Sequence, residues 1–523
     1  MSTTDNKSHF DMDDTKSHEP AGGETIITLM DSEKDPNKIA AAEDLVAAET
    51  QYTEEEYDKL KWKFELILLP CLMLTYGLQY ADKVSLSSGV VFGLKTDTHL
   101  SSDEYSLLTV WFYLAYLAGQ IPMSIVLQRL PLGRSLGMTI IAWGITVIGL
   151  GLCNNYTQLS VLRVMLGWFE CSITPGFLLI IASWYKRKES TLRSCFFFAM
   201  NSLLGGVFNI IIYAIAKKSE SGSTVAGWRA INYFLGSLTV LAGIIVFIFV
   251  GIPKDVFWLN KEQKKMAHVR IISNATGDGG NRAWDWAQVR ECFKDPQYYF
   301  MILFNLMSTI PNGVLGTFSA LVFKGFGFSA LDSILYQLPA NAIGFVVIIS
   351  SALIVNYWPR TRFPISIFEI MVEMIVFLYV GLAKTAGKWQ LWACFSFNGV
   401  VACPTFLIWS IMPLNCAGRT KKSFFSASAF ISYCVGNMIG SQTMRPNDAP
   451  RYLHGLTASA IIMGADCILL SVWYLYYVRE NKKREAAFVA SGMSNEEREH
   501  LNKLAGELDQ TDRQNPHFRY MLG

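Results

Sequence analysis

The sequence predicts an all-α membrane protein: twelve transmembrane helices in two six-helix bundles. Three observations carry that expectation. Between residues 61 and 480 the chain passes through about twelve apolar stretches of roughly 20 residues, the length a helix needs to cross a bilayer. One polar stretch, about 253–296, divides them six and six. Charged residues make up 17% of the 523-residue chain, against about 25% in a soluble domain; the deficit falls in the middle, because both ends are polar.

The elements follow in order. Residues 1–60 are polar, rich in Asp, Glu, Lys and Ser, and carry no cleavable signal peptide, so they read as a disordered cytoplasmic tail. The first bundle, 61–252, holds spans near 66–90, 105–127, 136–153, 158–183, 194–216 and 229–251. Residues 253–296 form a cytoplasmic linker. The second bundle, 297–480, holds spans near 298–322, 330–355, 364–383, 389–412, 424–444 and 454–478. Residues 481–523 are a second cytoplasmic tail.

Lys and Arg counts orient these spans. With the N-terminus inside, inside loops hold roughly nineteen basic residues and outside loops roughly nine, so both termini face the cytoplasm. The sequon Asn155-Tyr156-Thr157 falls in an outside loop too short for glycosylation to be expected. A net charge of +2, with no basic stripe and no zinc spacing, argues against nucleic acid as a partner. Most of the ten cysteines lie inside apolar segments (Cys71, Cys171, Cys195, Cys394, Cys403, Cys434, Cys467), where free thiols acting as small hydrophobes explain them better than a disulfide framework. No P-loop and no triad context is visible, and no cofactor or metal is called for. An enzyme is the least expected class.

The halves share a weak internal match. Pro175-Gly176-Phe177-Leu178-Leu179-Ile180 in span four resembles Pro404-Thr405-Phe406-Leu407-Ile408-Trp409 in span ten, and eighteen residues past each proline sits a base, Arg193 or Lys422. Six-plus-six repeats of this kind are the usual build of secondary transporters, which rock two halves about a midplane site.

Several strings carry a family resemblance. Leu78-Gln79-Tyr80-Ala81-Asp82-Lys83 closes span one, and Arg163-Val164-Met165-Leu166-Gly167-Trp168-Phe169-Glu170 lies in span four. Trp184-Tyr185-Lys186-Arg187-Lys188-Glu189 with Arg193 follows. Gly436-Asn437-Met438-Ile439-Gly440-Ser441-Gln442 lies in span eleven, and Ala449-Pro450-Arg451-Tyr452 and Glu480-Asn481-Lys482-Lys483-Arg484 come after it. Over about 61–485 the chain resembles the major facilitator superfamily and, within it, the mainly fungal anion:cation symporters that include the allantoate permeases. One departure stands out. Where that superfamily usually has an acid in the loop after span two, this chain has Leu130, although Gly133-Arg134 remains. No gating role is carried over to that position.

Ionisable residues inside apolar spans are costly and tend to face a cavity or a partner. Arg163 and Glu170 are seven apart on one helical face, with Gly167 between them. Either Arg163 attracts a substrate carboxylate and Glu170 takes a coupling proton, or the two lock the first bundle together. Asp82 could titrate and Lys83 could bind an anion; the alternative is an internal pair or snorkelling. The resemblance places that dipeptide on the cavity side. Glu369 and Glu373 in span nine, and Asp466 in span twelve, read as structural. In the resembled fold, spans one, four, seven and ten line the cavity with parts of five, eight and eleven. That makes Asn201, Asn305, Asn312, Asn341, Asn398 and Gln442 candidate substrate donors, each with interhelical bonding as its alternative. Tyr80 joins Tyr76, Trp409 and Tyr433 as a candidate aromatic wall. Gly436 and Gly440 permit close helix approach, with Asn437 beside them, and Gly205-Gly206 reads the same way. Lys186, Arg187 and Arg193 either close the cytoplasmic side through salt bridges or follow the charge bias of inside loops.

Together these imply proton-coupled uptake of a small organic anion across the plasma membrane by a monomer. The resemblance suggests allantoate, ureidosuccinate, nicotinate or other vitamin carboxylates, or small peptides. An exporter of the same fold and a non-transporting nutrient sensor are the alternatives; tails of about 60 and 43 residues weigh against the sensor.

Overall fold

The computed structural model describes residues 52–522 apart from 186, 222–223, 273–283, 384, 446–447, 450 and 508. The described residues are helical, with no strand among them. The first bundle comprises α1 (Glu54–Val91), α2 (Ser102–Arg129), α3 (Leu132–Leu150), α4 (Tyr156–Glu170 continuing as Ile173–Trp184), α5 (Arg187–Glu220) and α6 (Gly227–Phe249). The second comprises α7 (Pro296–Gly325), α8 (Ala330–Leu335 continuing as Leu338–Tyr357), α9 (Arg362–Leu382), α10 (Lys388–Phe395 continuing as Cys403–Asn415), α11 (Arg419–Thr443) and α12 (Leu453–Ser491). Below, the tail end is where α1 begins and α12 finishes; the far end is opposite.

Among the described residues, eleven helices are long and apolar enough to cross a membrane. The helix α11 is not among them, because serines and amides (Ser428, Ser432, Asn437, Ser441, Gln442) dilute its apolar content. It packs instead against α7 and α2, so protein covers its polar face. The helices α3, α6, α9 and α12 carry the exposed apolar residues expected of a lipid-facing rim, among them Met138, Ile244, Phe368 and Ile468.

Capping accounts for where the first two helices start. Thr53 and Glu56 cap each other's backbone at α1, and Ser101 and Glu104 do so at α2. As a result α1 begins at Glu54, and residues 54–60, expected in the disordered tail, are helix; residues 1–51 lie outside the described residues. Leu130, the residue replacing the usual loop acid, is the exposed C-cap of α2.

Among the described residues, three membrane helices are interrupted along their length. The α4 break falls at Cys171-Ser172, directly after Glu170; the α8 break at Tyr336-Gln337; and α10 passes through a 3-10 turn, Ser396–Val400. Two of these breaks coincide with the internal sequence match. Pro175 and Pro404 stand at the start of the second segments of α4 and α10, where a proline lacks the N–H that would close the previous turn. Backbone freed in this way is tolerated at membrane depth where it lines a cavity.

The described parts of the expected linker and second tail contain helices. The linker contains helices Lys261–Ile272 and Trp286–Cys292, and a helix Asn495–Glu507 follows α12. The last described residues fold back onto the tail end of the second bundle. Lys421 Nζ, fully buried, lies 2.9 Å from Glu291, 2.7 Å from Asp295 and 2.8 Å from Asp512. Arg484 donates to the carbonyls of Asp512, Asn515 and Phe518, and Asn415 exchanges two hydrogen bonds with the Met521 backbone. The nine cysteines with described side chains are free thiols.

Candidate functional site

A central cavity of about 160 Å³ lies between the bundles. On α1 its wall is Tyr76, Gln79, Tyr80 and Lys83, one helical stripe at i, i+3, i+4 and i+7. Tyr113 and Tyr116 on α2, Thr174 after the α4 break, and Asn201 and Asn209 on α5 complete the first-bundle side. The second bundle supplies Thr309, Asn312 and Gly316 on α7, Gln337 and Asn341 at the α8 break, Asn398 in the α10 turn, then Thr405 and Trp409, and Phe430 and Tyr433 on α11.

Lys83 brings positive charge to this wall. Its Nζ lies 2.8 Å from Glu170 Oε1 and within about 6 Å of the Phe112 and Tyr116 ring centres. The lysine side chain is 26% exposed and the glutamate 0%, so Glu170 sits behind it. Asp82 faces away from the cavity; its Oδ2 accepts from the Trp143 indole at 3.2 Å. Arg163 is also buried, under the electrostatic influence of Asp82 and Glu170. It lines a second, smaller cavity of about 30 Å³ that shares Lys83, Tyr113 and Gly316 with the first. Of the four ionisable residues singled out from the sequence, Lys83 pairs with Glu170 at the wall, so Glu170 is not the partner of Arg163; Arg163 and Asp82 are both buried and make no ion pair with each other.

The candidate amides divide by depth. Asn201, Asn312, Asn341 and Asn398 line the cavity. Asn201 Oδ1 has no hydrogen-bond partner among the described residues. Asn312 Nδ2 donates to Asn437 Oδ1 at 2.8 Å, Asn341 Nδ2 to the Gln337 carbonyl at 3.2 Å, and Asn398 Nδ2 to the Phe395 carbonyl at 2.5 Å. Each therefore keeps its carbonyl oxygen and one N–H for a ligand. Asn305 does not reach the cavity. It lies two turns nearer the tail end, fully buried, where its Oδ1 accepts from the Trp409 indole at 2.6 Å. Gln442 does not reach it either: it sits at the far end and accepts from Ser106 Oγ at 3.2 Å.

The small residues hold helices together. A Cβ on Gly167 would overlap the Phe112 carbonyl, one on Gly436 would stand 2.6 Å from the Leu306 carbonyl, and one on Gly440 would overlap the Ile310 carbonyl. Asn437 is fully buried in that α7–α11 contact. Arg193 pairs with Glu65 at 2.7 Å, inside the first bundle rather than across to the second. Lys186 and the side chain of Arg187 lie outside the described residues.

At the far end the halves are fastened to each other. Ser87 Oγ accepts from the Ala320 N–H at 3.0 Å, Tyr105 donates to the Thr317 carbonyl, and the Thr109 and Thr317 hydroxyls are 3.2 Å apart. Toward the tail end the cavity is floored by two stacked pairs across the bundles, Phe198 on Phe406 and Tyr116 on Phe430. Gln79, Tyr113, Tyr116, Thr309, Gly316 and Phe430 were not singled out from sequence. Extending the i, i+3, i+4, i+7 pattern from Lys83, Asn312 and Tyr433 recovers most of them.

The profile of the Major Facilitator Superfamily matches residues 72–441. The chain belongs to that superfamily. It is 30% identical over 511 residues to the allantoate permease of Saccharomyces cerevisiae, covering 95% of this chain and 92% of that one. It is 29% identical over 504 residues to the thiamine pathway transporter THI73 of the same yeast, covering 93% and 91%. An uncharacterized transporter of Schizosaccharomyces pombe is 30% identical over 490 residues, covering 92% and 91%. Among solved structures, the Escherichia coli proton:xylose symporter XylE superposes with a TM-score of 0.61 at 15% identity, covering 78% of this chain and 95% of that one, a likeness of fold. The protein is a multi-pass membrane transporter of a small molecule, not an enzyme.

Proposed function

We propose that this transporter carries a small organic anion inward together with a proton. The Lys83–Glu170 pair at the cavity wall is the observation that carries the reading. Ionised Glu170 neutralises Lys83. A proton on Glu170 releases the lysine charge, and an anion then takes the carboxylate's place. The loaded site is neutral again, so the halves can rock about it without an uncompensated buried charge. Proton and anion thus travel as a unit because each alone leaves one charge of the pair unpaired.

The cavity supports a small substrate with both apolar and amide-bonding surface. Tyr and Trp rings wall it, and the free groups of Asn201, Asn312, Asn341 and Asn398 point to a polar body beyond the charged head. Carboxylates such as allantoate, ureidosuccinate or nicotinate fit that description, and the permease relative supports the first. The charge bias of the loops supports cytoplasmic termini, which makes the far end extracellular and the present state closed to the outside. The remaining parts of the reading are a plasma-membrane location and a monomeric unit.

The test is uptake of radiolabelled carboxylates, vitamins and short peptides into cells expressing the chain, at pH 5 and pH 7, with and without a protonophore. Saturable uptake that is faster at pH 5 and collapses with the protonophore is the expected result. No uptake across the panel, with surface expression verified, would move the reading to export or sensing.

A further inference from the structure

Two buried acids of the second bundle take no part in the site described above. Glu369 and Glu373 stand one turn apart near the middle of α9, 3% and 2% exposed. From α8, Ser351 Oγ donates to Glu369 Oε1 at 2.6 Å. From α10, Cys403 opens the second segment within electrostatic reach of both acids. From α12, Cys467 donates to the Ile367 carbonyl of α9, while Asp466 turns to Ser308 on α7. Arg362 shares their face of α9, but it precedes Glu369 by seven residues, about 10 Å along the axis. Among the described residues no base acts on the pair: Ser351 bonds Glu369, and Glu369 is the charge felt by Glu373.

This leaves polar atoms unserved. Glu369 Oε2, Glu373 Oε1 and Ser366 Oγ have no hydrogen-bond partner among the described residues. Ser366 is fully buried, and the three side chains share an arc of about 60° on α9. The one proton of the Ser351 hydroxyl cannot serve two carboxylates. Two ionised acids at this depth would each cost at least about 2.5 kcal/mol and would repel each other. Protons on the acids remove both costs, and Ser366 Oγ offers an acceptor on the same face. The pair also lies close behind the central cavity. Ile348, one turn before Ser351 on α8, lines that cavity, and so does Ala402, next to Cys403.

We infer that Glu369 and Glu373 form a second proton-binding site, in the second bundle, filled from the central cavity by way of Ser351. The Ser351 hydroxyl passes its proton to Glu369 and takes another from cavity water; emptying reverses both transfers. The inference rests on the proton-coupled reading above and extends it. Each bundle then holds one proton acceptor, Glu170 in the first and this pair in the second. A monocarboxylate crosses with two protons, and one net positive charge moves with it. Net flux of both protons still requires the empty protein to return, which needs the Lys83–Glu170 pair intact.

Proton binding is read first, on the purified parent without substrate, from infrared difference spectra between pH 5 and pH 9. A protonated-carboxyl band should weaken as pH rises. Glu369→Gln and Glu373→Gln, which imitate the protonated side chains, should each remove part of the change. A titrating band untouched by both variants, or one that does not titrate, would overturn the site and leave the acids a fixed structural pair. A band that responds to Na+ in place of K+ at constant pH would overturn it as well, by making the pair a metal-cation site. The second readout is carboxylate accumulation in liposomes at zero membrane potential. Under a tenfold proton gradient the parent should accumulate substrate about a hundredfold, and Glu369→Gln/Glu373→Gln about tenfold. Equal accumulation by the two proteins would overturn the inference. If neither accumulates a carboxylate while the band titrates as described, the proton-coupled reading fails and the site stands. If accumulation follows pH but the band does not titrate, the site fails alone.

Discussion

Lys83 Nζ lies 2.8 Å from Glu170 Oε1, and of the two only the lysine reaches the central cavity. A buried ion pair is weak evidence for stability, because desolvation offsets most of the attraction. Its position beside a cavity gives it another use: either charge can be exchanged for one brought from outside.

Replacing one partner leaves the other charged and unpaired. Lys83→Gln and Glu170→Gln should each destabilise the folded protein by up to about 3–5 kcal/mol at neutral pH, and the double variant by less than the sum. Thermal unfolding in detergent reads this double-mutant cycle. Additive losses would mean the two residues are not coupled.

The Ser106–Gln442 hydrogen bond and the Tyr105 and Thr317 contacts fasten the far end. Gln442→Ala removes an interaction of about 1 kcal/mol that exists in this state alone, so the alternative state should gain roughly fivefold in population. Labelling of a cysteine at Thr317 from the far end should rise by that factor. An unchanged rate would place the closing contacts elsewhere.

Two glycines, Gly440 in the α7–α11 contact and Gly316 beside the cavity, should respond oppositely to alanine. Gly440→Ala pushes a methyl into the Ile310 carbonyl and should cost about 1–3 kcal/mol. Gly316→Ala, with open space before it, should cost nothing. Equal melting temperatures for the two variants would contradict the packing described.

The fastened C-terminal segment should depend on Lys421 and on pH. Lys421→Met leaves Glu291, Asp295 and Asp512 facing one another and should release residues 509–522 to hydrogen exchange. Burial holds the Asp512 carboxyl above its ordinary range, with Lys421 opposing. The docked segment therefore binds more proton than the released one. Docking is favoured at low pH and weakens as pH rises through the raised value. Protection of 509–522, corrected for intrinsic exchange, should fall as pH rises from the ordinary carboxyl range through the raised value of Asp512; a pH-independent result would remove Asp512 from the account.

Helix positions were legible because apolar runs report span length directly; the breaks were not read, although a proline (Pro175, Pro339, Pro404) stands at the start of the second segment of each broken helix. Depth within a span was less legible. Asn305 and Asn312 share a helical face, yet only Asn312 reaches the cavity, because composition does not say where along α7 the cavity lies. The α11 helix shows the converse: its amides fit a span because other helices surround it. The docked C-terminus left no trace in composition, since Asp512, Tyr520 and Met521 find partners 91–215 residues away or in α12.

The most direct measurement is proton flux into liposomes containing the purified transporter, read with an internal pH dye as labelled carboxylates are added outside. The account predicts that a transported carboxylate acidifies the lumen in the parent protein. In Glu170→Gln, labelled substrate should still exchange against internal substrate, but without proton movement. Acidification that persists in Glu170→Gln would contradict the role given to the Lys83–Glu170 pair.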